Sequence, residues 1–139
     1  MSDALYSKAL LRLAADAHSA GRLPEPDASG TVFNPACGDK VTVDLSLKEG
    51  RIADIAHETK ACVLAQASAS VLGLASRGAD RAGIEKLRDD LNAMLHEKSA
   101  APAPPFDAYA AFEGAVEYTS RHRCVLLPVE AALAAFDKA

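Results

Sequence analysis

The chain has no tryptophan, and aromatic residues make up only 5% of its 139 positions although half of all residues are hydrophobic. That shortage of rings favours a helical core of small and aliphatic side chains. Cysteine is scarce as well: three residues are an odd number, so a closed disulfide framework would leave one over. A chain of this length can bury most of its apolar surface without disulfide staples, and in a reducing compartment the roles left for a thiol are metal ligation or thiol chemistry. Long hydrophobic runs are missing too; none approaches the roughly 18–20 residues needed to cross a bilayer. The opening "MSDALYSKALLRLAADAHSAGRL" mixes polar and apolar residues where a signal peptide would carry an apolar core. A soluble, cytoplasmic protein without a membrane partner is expected. Nor is there an excess of positive charge: the formal net charge of −4 and pI near 5.5 supply no field to hold nucleic acid or an anionic membrane. Finally, H-E-x-x-H, P-C-x-x-C, G-x-S-x-G, the P-loop and G-x-G-x-x-G are all absent, so the usual metallohydrolase and nucleotide-enzyme routes have no support.

What is present is a clear succession of periodicities. Leu5, Ala9, Leu10, Leu13 and Ala17 form one stripe, which predicts an amphipathic helix over 3–20 ending near Gly21. "GRLPEPDASG" reads as a loop, followed by a short strand around Thr31–Asn34. From Lys40 to Lys48 the residues Val41, Val43, Leu45 and Leu47 alternate with polar ones, the period of a half-buried strand. Glu49-Gly50 supplies a turn, and Arg51–Glu58 returns as the antiparallel partner, its less regular alternation pointing to a bulge. A helix starts at Cys62, and another spans about 80–97 on Ile84, Leu87, Leu91, Met94 and Leu95. "SAAPAPPF" then gives a semi-rigid connector, and Tyr109–Tyr118 a short helix. The last helix carries Val129, Ala132, Leu133 and Phe136. Because proline is best tolerated in a first turn, Pro128 places that helix's start close after Cys124. The order is that of an α+β domain: a three-stranded antiparallel sheet with an N-terminal helix and several C-terminal helices packed on one face. One domain over 1–139 is expected, with no internal repeat.

All three cysteines fall at element ends: Cys37 in a turn before a strand, Cys62 at a strand-to-helix junction, Cys124 at the mouth of the final helix. Helix N-termini favour the thiolate, the form that binds metal or attacks sulfur. A free cysteine is more often a small buried hydrophobe, but three of three at element ends, none amid an apolar stripe, weighs against that. Asp39 follows Cys37 by two, and Gly38 lets the chain curl so that thiolate and carboxylate can face one point. The alternative for Asp39 is a turn aspartate capping its own backbone. His57 and His122 each remain open as ligand, base or solvated side chain, whereas His18 and His96 sit on polar helix faces and receive no role. Arg121 and Arg123 flank the third cysteine, where they either lower its pKa, meet an acidic partner or form an ordinary solvated face.

Taken together, "NPACGDKVTVDL", "ACVLAQASASVL" and "RCVLLPVEAAL" resemble the U-type iron–sulfur cluster assembly proteins, the family of IscU, SufU and the N-terminal domain of NifU. The shared patterns are P-x-C-G-D, C-x-x-x-x-A-S-x-S opening a helix, and C-x-x-L-x-x-x-A near the C-terminus. The resemblance spans roughly 30–76 and 121–136. Cys62 and Cys124 stand 62 positions apart, with an inserted helix and Pro-rich connector at about 81–107, a spacing that looks like the SufU branch. Arg123 occupies the place where IscU has a histidine directly before the cysteine, and no Leu-Pro-Pro-Val-Lys motif precedes it. Ala61 stands where the family usually has glycine.

The resemblance implies that Cys37, Asp39, Cys62 and Cys124 hold a metal. On the SufU-like reading this is Zn2+, and Cys37 accepts persulfide sulfur from a SufS-like cysteine desulfurase, for delivery to recipient apo-proteins or SUF scaffold components. On the IscU-like alternative the group is a 2Fe–2S cluster built on the scaffold, with Cys124 as acceptor. Either way the chain is expected to be a scaffold or sulfur acceptor, at most a sulfur transferase. Two other readings stand beside it. A zinc hydrolase would use Asp39 or His122 as base, and a structural zinc module would serve only protein contacts.

Overall fold

The structure is a computed structural model and describes residues 6–35 and 38–139. Its elements run α1 (Lys8–Asp16), β1 (Ala28–Asn34), β2 (Asp39–Lys48), β3 (Arg51–Lys60), α2 (Val63–Ala75), α3 (Arg81–Glu97), a 3₁₀ segment (Asp107–Ala115), a 3₁₀ turn (Thr119–Arg121) and α4 (His122–Asp137).

The strands form one antiparallel sheet in the order β1-β2-β3. The alternation over β2 works as expected, since Val41, Val43 and Leu45 are fully buried on the face that meets the helices. Glu49 and Gly50 both take positive φ, 54° and 77°, the tight hairpin turn whose twist matches that of the strands. Past Ser46↔Asp54 the register jumps to Leu47↔Ile52, which leaves Ala53 as the extra residue of the expected bulge. β1 begins earlier than its apolar residues suggest, at Ala28, because it pairs with β2 as far as Leu45.

On the buried face α4 lies across β1 and β2, α2 packs between β3 and α4, and α3 covers α4. Gly30 is where β1 and α4 come closest: a Cβ there would overlap Ala135 N and Ala131 O. α2 needs no amphipathic stripe, since it is buried on nearly every side, from Leu64 through Gly73 with Gln66 the exception.

Two helix boundaries differ from the sequence reading. α1 stops at Asp16, because Ala17 turns left-handed (φ 45°) and the chain then lies beside β3. There Gly21 N donates to His57 O (2.7 Å) and His57 N to Ser19 O (3.0 Å), so Ser19–Gly21 acts as a short parallel edge where helix had been expected. α4 starts at His122, two residues before Cys124, and carries Pro128 in its interior. The missing N–H of Pro128 removes one helical bond to the Cys124 carbonyl, but burial of Val125, Leu127, Val129 and Ala132 against the sheet and neighbouring helices outweighs it. Residues Tyr109–Tyr118, expected as a short helix, contribute to the 3₁₀ segment. Among the described residues no helix is long and apolar enough to cross a membrane.

Candidate metal centre

Three chain reversals converge at one end of the sheet. Gly38, with φ +74°, closes the β1–β2 connection by donating its N–H to Asn34 O (2.8 Å) and delivers Asp39 as the first residue of β2. β3 leads into Cys62, the N-cap of α2, with extended backbone (φ −65°, ψ 170°). Cys124 occupies the first turn of α4. The ligating atoms of Asp39, Cys62 and Cys124 all lie within 4.8 Å of one another, and among the described residues this is the one group of three or more His, Cys, Asp or Glu side chains so placed. Cys37, the fourth residue of the expected set, lies outside the described residues.

The donor set fits a thiophilic divalent ion. Cys124 Sγ is 3.8 Å from Asp39 Oδ2, its thiol donating to the carboxylate, close to the edge of a tetrahedron with ordinary zinc–sulfur and zinc–oxygen bonds. Asp39 and Cys124 are buried while Cys62 is half-buried, so the group opens to solvent on the Cys62 side.

The environment prepares Cys62 as a thiolate. Its pKa is lowered to about 6, first by a hydrogen bond with Cys124 and further by the backbone amides of Ala65 and Leu64, which outweigh partial burial and the nearby Asp39 carboxylate. Those amides are the unpaired N–H groups that any α-helix presents at its first turn.

The two open histidines are placed away from this group. His57 is buried with both ring nitrogens engaged, Nε2 with His18 O (2.9 Å) and Nδ1 with Thr59 Oγ1 (2.9 Å), and burial lowers its pKa. His122 is buried with Nε2 donating to Val116 O (3.0 Å) and Nδ1 turned to His96. Arg123 pairs along its own helix with Glu130 (3.3 Å).

Sequence reasoning passed over Asp44, the fully buried carboxylate on the opposite face of β2. Arg22 Nε and an Arg22 terminal nitrogen donate to it (2.6 and 3.1 Å), as do Leu23 N (3.1 Å) and the Ser29 hydroxyl (2.6 Å). This anchor fastens the 20–27 loop across the sheet. The one signal for it was an acidic residue amid the most regular strand of the chain.

The profile of the NifU-like N terminal domain matches residues 5–125. The chain belongs to this family of U-type iron–sulfur cluster assembly proteins. Among relatives of this NifU-like domain is an iron-sulfur cluster assembly scaffold protein IscU from Archaeoglobus fulgidus, 32% identical over 74 residues, which cover 53% of this chain and 48% of that protein. Another is the IscU scaffold protein of Thermotoga maritima, 34% identical over 68 residues, covering 49% and 48%. The NifU-like chain thus matches about half the length of these relatives. The crystal structure of a nitrogen-fixing NifU-like protein (N-terminal) from Brucella abortus superposes with a TM-score of 0.92 at 38% identity, over 97% of this chain and 94% of that one. FiSufU from the thermophile Fervidobacterium islandicum shares the fold, with a TM-score of 0.84 at 21% identity over 98% and 99%.

Proposed function

We propose that this NifU-like domain serves iron–sulfur cluster assembly as a metal-holding sulfur acceptor. In this reading Cys37, Asp39, Cys62 and Cys124 bind Zn2+, and a SufS-like cysteine desulfurase hands persulfide sulfur to Cys37 in the cytoplasm. The recipients are apo-proteins or components of a SUF scaffold. The observation that carries the proposal is the convergence of Asp39, Cys62 and Cys124 within 4.8 Å. Bound zinc would keep the thiolates deprotonated but shielded. The SufU-like branch is favoured by the 62-position separation of Cys62 and Cys124, which we assign to an insertion at about 81–107 containing α3. Arg123, paired with Glu130, and His122, buried and turned to His96, also support it, since no histidine before Cys124 joins the group.

Transfer needs no outside oxidant. The Cys37 thiolate attacks the outer sulfur of the desulfurase's cysteine persulfide, the inner sulfur leaves as the desulfurase thiolate, and one sulfur–sulfur bond replaces another. Cys124 is 6% exposed, which speaks against it as the acceptor.

A second reading, a scaffold for a 2Fe–2S cluster, draws on the scaffold proteins that share about a third of their aligned residues with this chain. Metal analysis and the absorption spectrum of fresh protein, before and after incubation with a cysteine desulfurase, cysteine and iron, separate the two. Stoichiometric zinc, no visible chromophore and faster desulfurase turnover are expected. A cysteine-ligated cluster spectrum would replace the zinc reading with the scaffold.

A further inference from the structure

His96 and His122 come from different helices, the last turn of α3 and the first position of α4, and meet edge to face with ring centroids 4.7 Å apart. Their Nδ1 atoms are 3.3 Å apart. His122 is buried, and its Nε2 proton is committed to Val116 O at 3.0 Å, so in the neutral ring Nδ1 carries the lone pair. This is how a metal-binding imidazole is usually oriented: one nitrogen donates to a carbonyl, and the other is thereby freed for the ion. His96 is exposed. Its ring can carry its proton on Nε2 in water, which frees its Nδ1 to face the same point.

Two imidazole nitrogens bound to one tetrahedral zinc-sized ion, each about 2.0–2.1 Å from it, are about 3.3–3.4 Å apart. The observed separation already has that value, so both nitrogens can reach one ion once the rings turn their Nδ1 lone pairs from each other toward it. An ion pair spans the same seam, Lys98 with Glu117 at 3.4 Å, and is neutral overall. We propose that His96 and His122 form a second metal site, separate from the Asp39–Cys62–Cys124 group, which takes a borderline divalent transition ion such as Ni2+ or Zn2+ through two Nδ1 atoms and water. Imidazole suits these ions, whereas magnesium and calcium favour oxygen.

The test uses the full chain, loaded with one equivalent of Zn2+ per chain so that the thiolate group is filled and the histidine pair is left empty, then dialysed against Ni2+ with both metals counted per chain. Wild-type protein is expected to take up one Ni2+ without losing zinc and without a thiolate-to-nickel charge-transfer band. His96→Ala, a change at an exposed position, should lose that nickel and keep the same zinc content. His18→Ala, at a histidine outside the pair, should keep both. Equal nickel uptake by wild type and His96→Ala, no uptake by wild type, or nickel bound with a thiolate band of equal strength in both would each overturn the site.

Discussion

Cys124 Sγ lies 3.8 Å from Asp39 Oδ2 across 85 positions of sequence, and this contact joins the first turn of α4 to the first residue of β2. Cys62 completes the cluster, and its thiol depends on Cys124: their hydrogen bond is the largest cause of its lowered pKa. In metal-free protein, alkylation of Cys62 by iodoacetamide, followed by mass spectrometry across pH, should therefore reach half its maximal rate near pH 6. An ordinary cysteine would do so at about 8.5. The thiolate persists above that midpoint and is lost as pH falls through it; a bound metal competes with the proton, so release of the metal should need a pH below this midpoint. Cys124→Ala removes the partner that lowers the Cys62 pKa most and should move the profile upward. A wild-type midpoint in the ordinary thiol range would refute the geometry.

The buried anchor makes a separate prediction. Burial alone would raise the pKa of Asp44, but hydrogen bonds from Arg22, Ser29 and the Leu23 amide bring it below the usual carboxylate value of 3.8. A lowered folded-state pKa stabilises the fold above the unfolded-state value, and that stabilisation disappears as pH falls through the folded one. Asp44→Asn should thus cost about 2–3 kcal/mol at pH 7, judged by urea denaturation. The gap to wild type should narrow as the pH drops below about 4. A pH-independent gap would mean that the carboxylate charge is not what holds the loop.

These two sites show what a linear reading can reach. β2 and its hairpin were legible because a period of two survives wherever one face is buried, and even the bulge left its mark in the uneven alternation of β3. Cys62 and Cys124 could be placed at element ends because the change of period on either side marks those ends. Asp44 was not legible, since its burial depends on Arg22 reaching over from a loop of prolines and glycines. The His96–His122 contact was hidden for a similar reason. His96 sits on the polar side of its own helix, and only the way α3 packs on α4 turns that side toward His122. The start of α4 was misplaced because proline's local preference was weighed without the packing that overrides it.

Glycines supply a contrast in opposite directions. Gly30 and Gly73 stand where a Cβ would meet backbone, Ala135 N in one case and His18 O in the other, and backbone cannot swing aside as a side chain can. Alanine at either position should cost about 1–3 kcal/mol by overpacking. Gly83 lies near the start of α3 with its nearest neighbours at 3.4 and 3.6 Å, both of them side-chain atoms. There alanine should stabilise by up to ~1 kcal/mol, since glycine is a poor helix former. Thermal melts of the three variants check both signs at once, and a stabilising Gly30→Ala would contradict the close approach of β1 and α4.

The turn that carries Cys124 is held from the side. Ser68 Oγ donates to Val125 O at 2.6 Å, while the Tyr109 hydroxyl lies 2.8 Å from Ser68 Oγ and donates to Ser68 O at 3.2 Å. Pro128 cannot supply a helical hydrogen bond to the Cys124 carbonyl, so this side-chain bond to the next carbonyl matters more than it would in an uninterrupted helix. Tyr109 is fully buried and burial raises its pKa, so the phenol stays protonated and remains a donor throughout the neutral range. Tyr109→Phe keeps the ring and removes only the hydroxyl; it should cost about 1 kcal/mol, equally at pH 6 and pH 9. Ser68→Ala should cost more, because it also strips Val125 O of its side-chain partner. The double variant should lose less than the sum of the two, as expected for groups in one network. Strict additivity in a denaturation cycle would show that the two hydroxyls do not act together on the Cys124 turn.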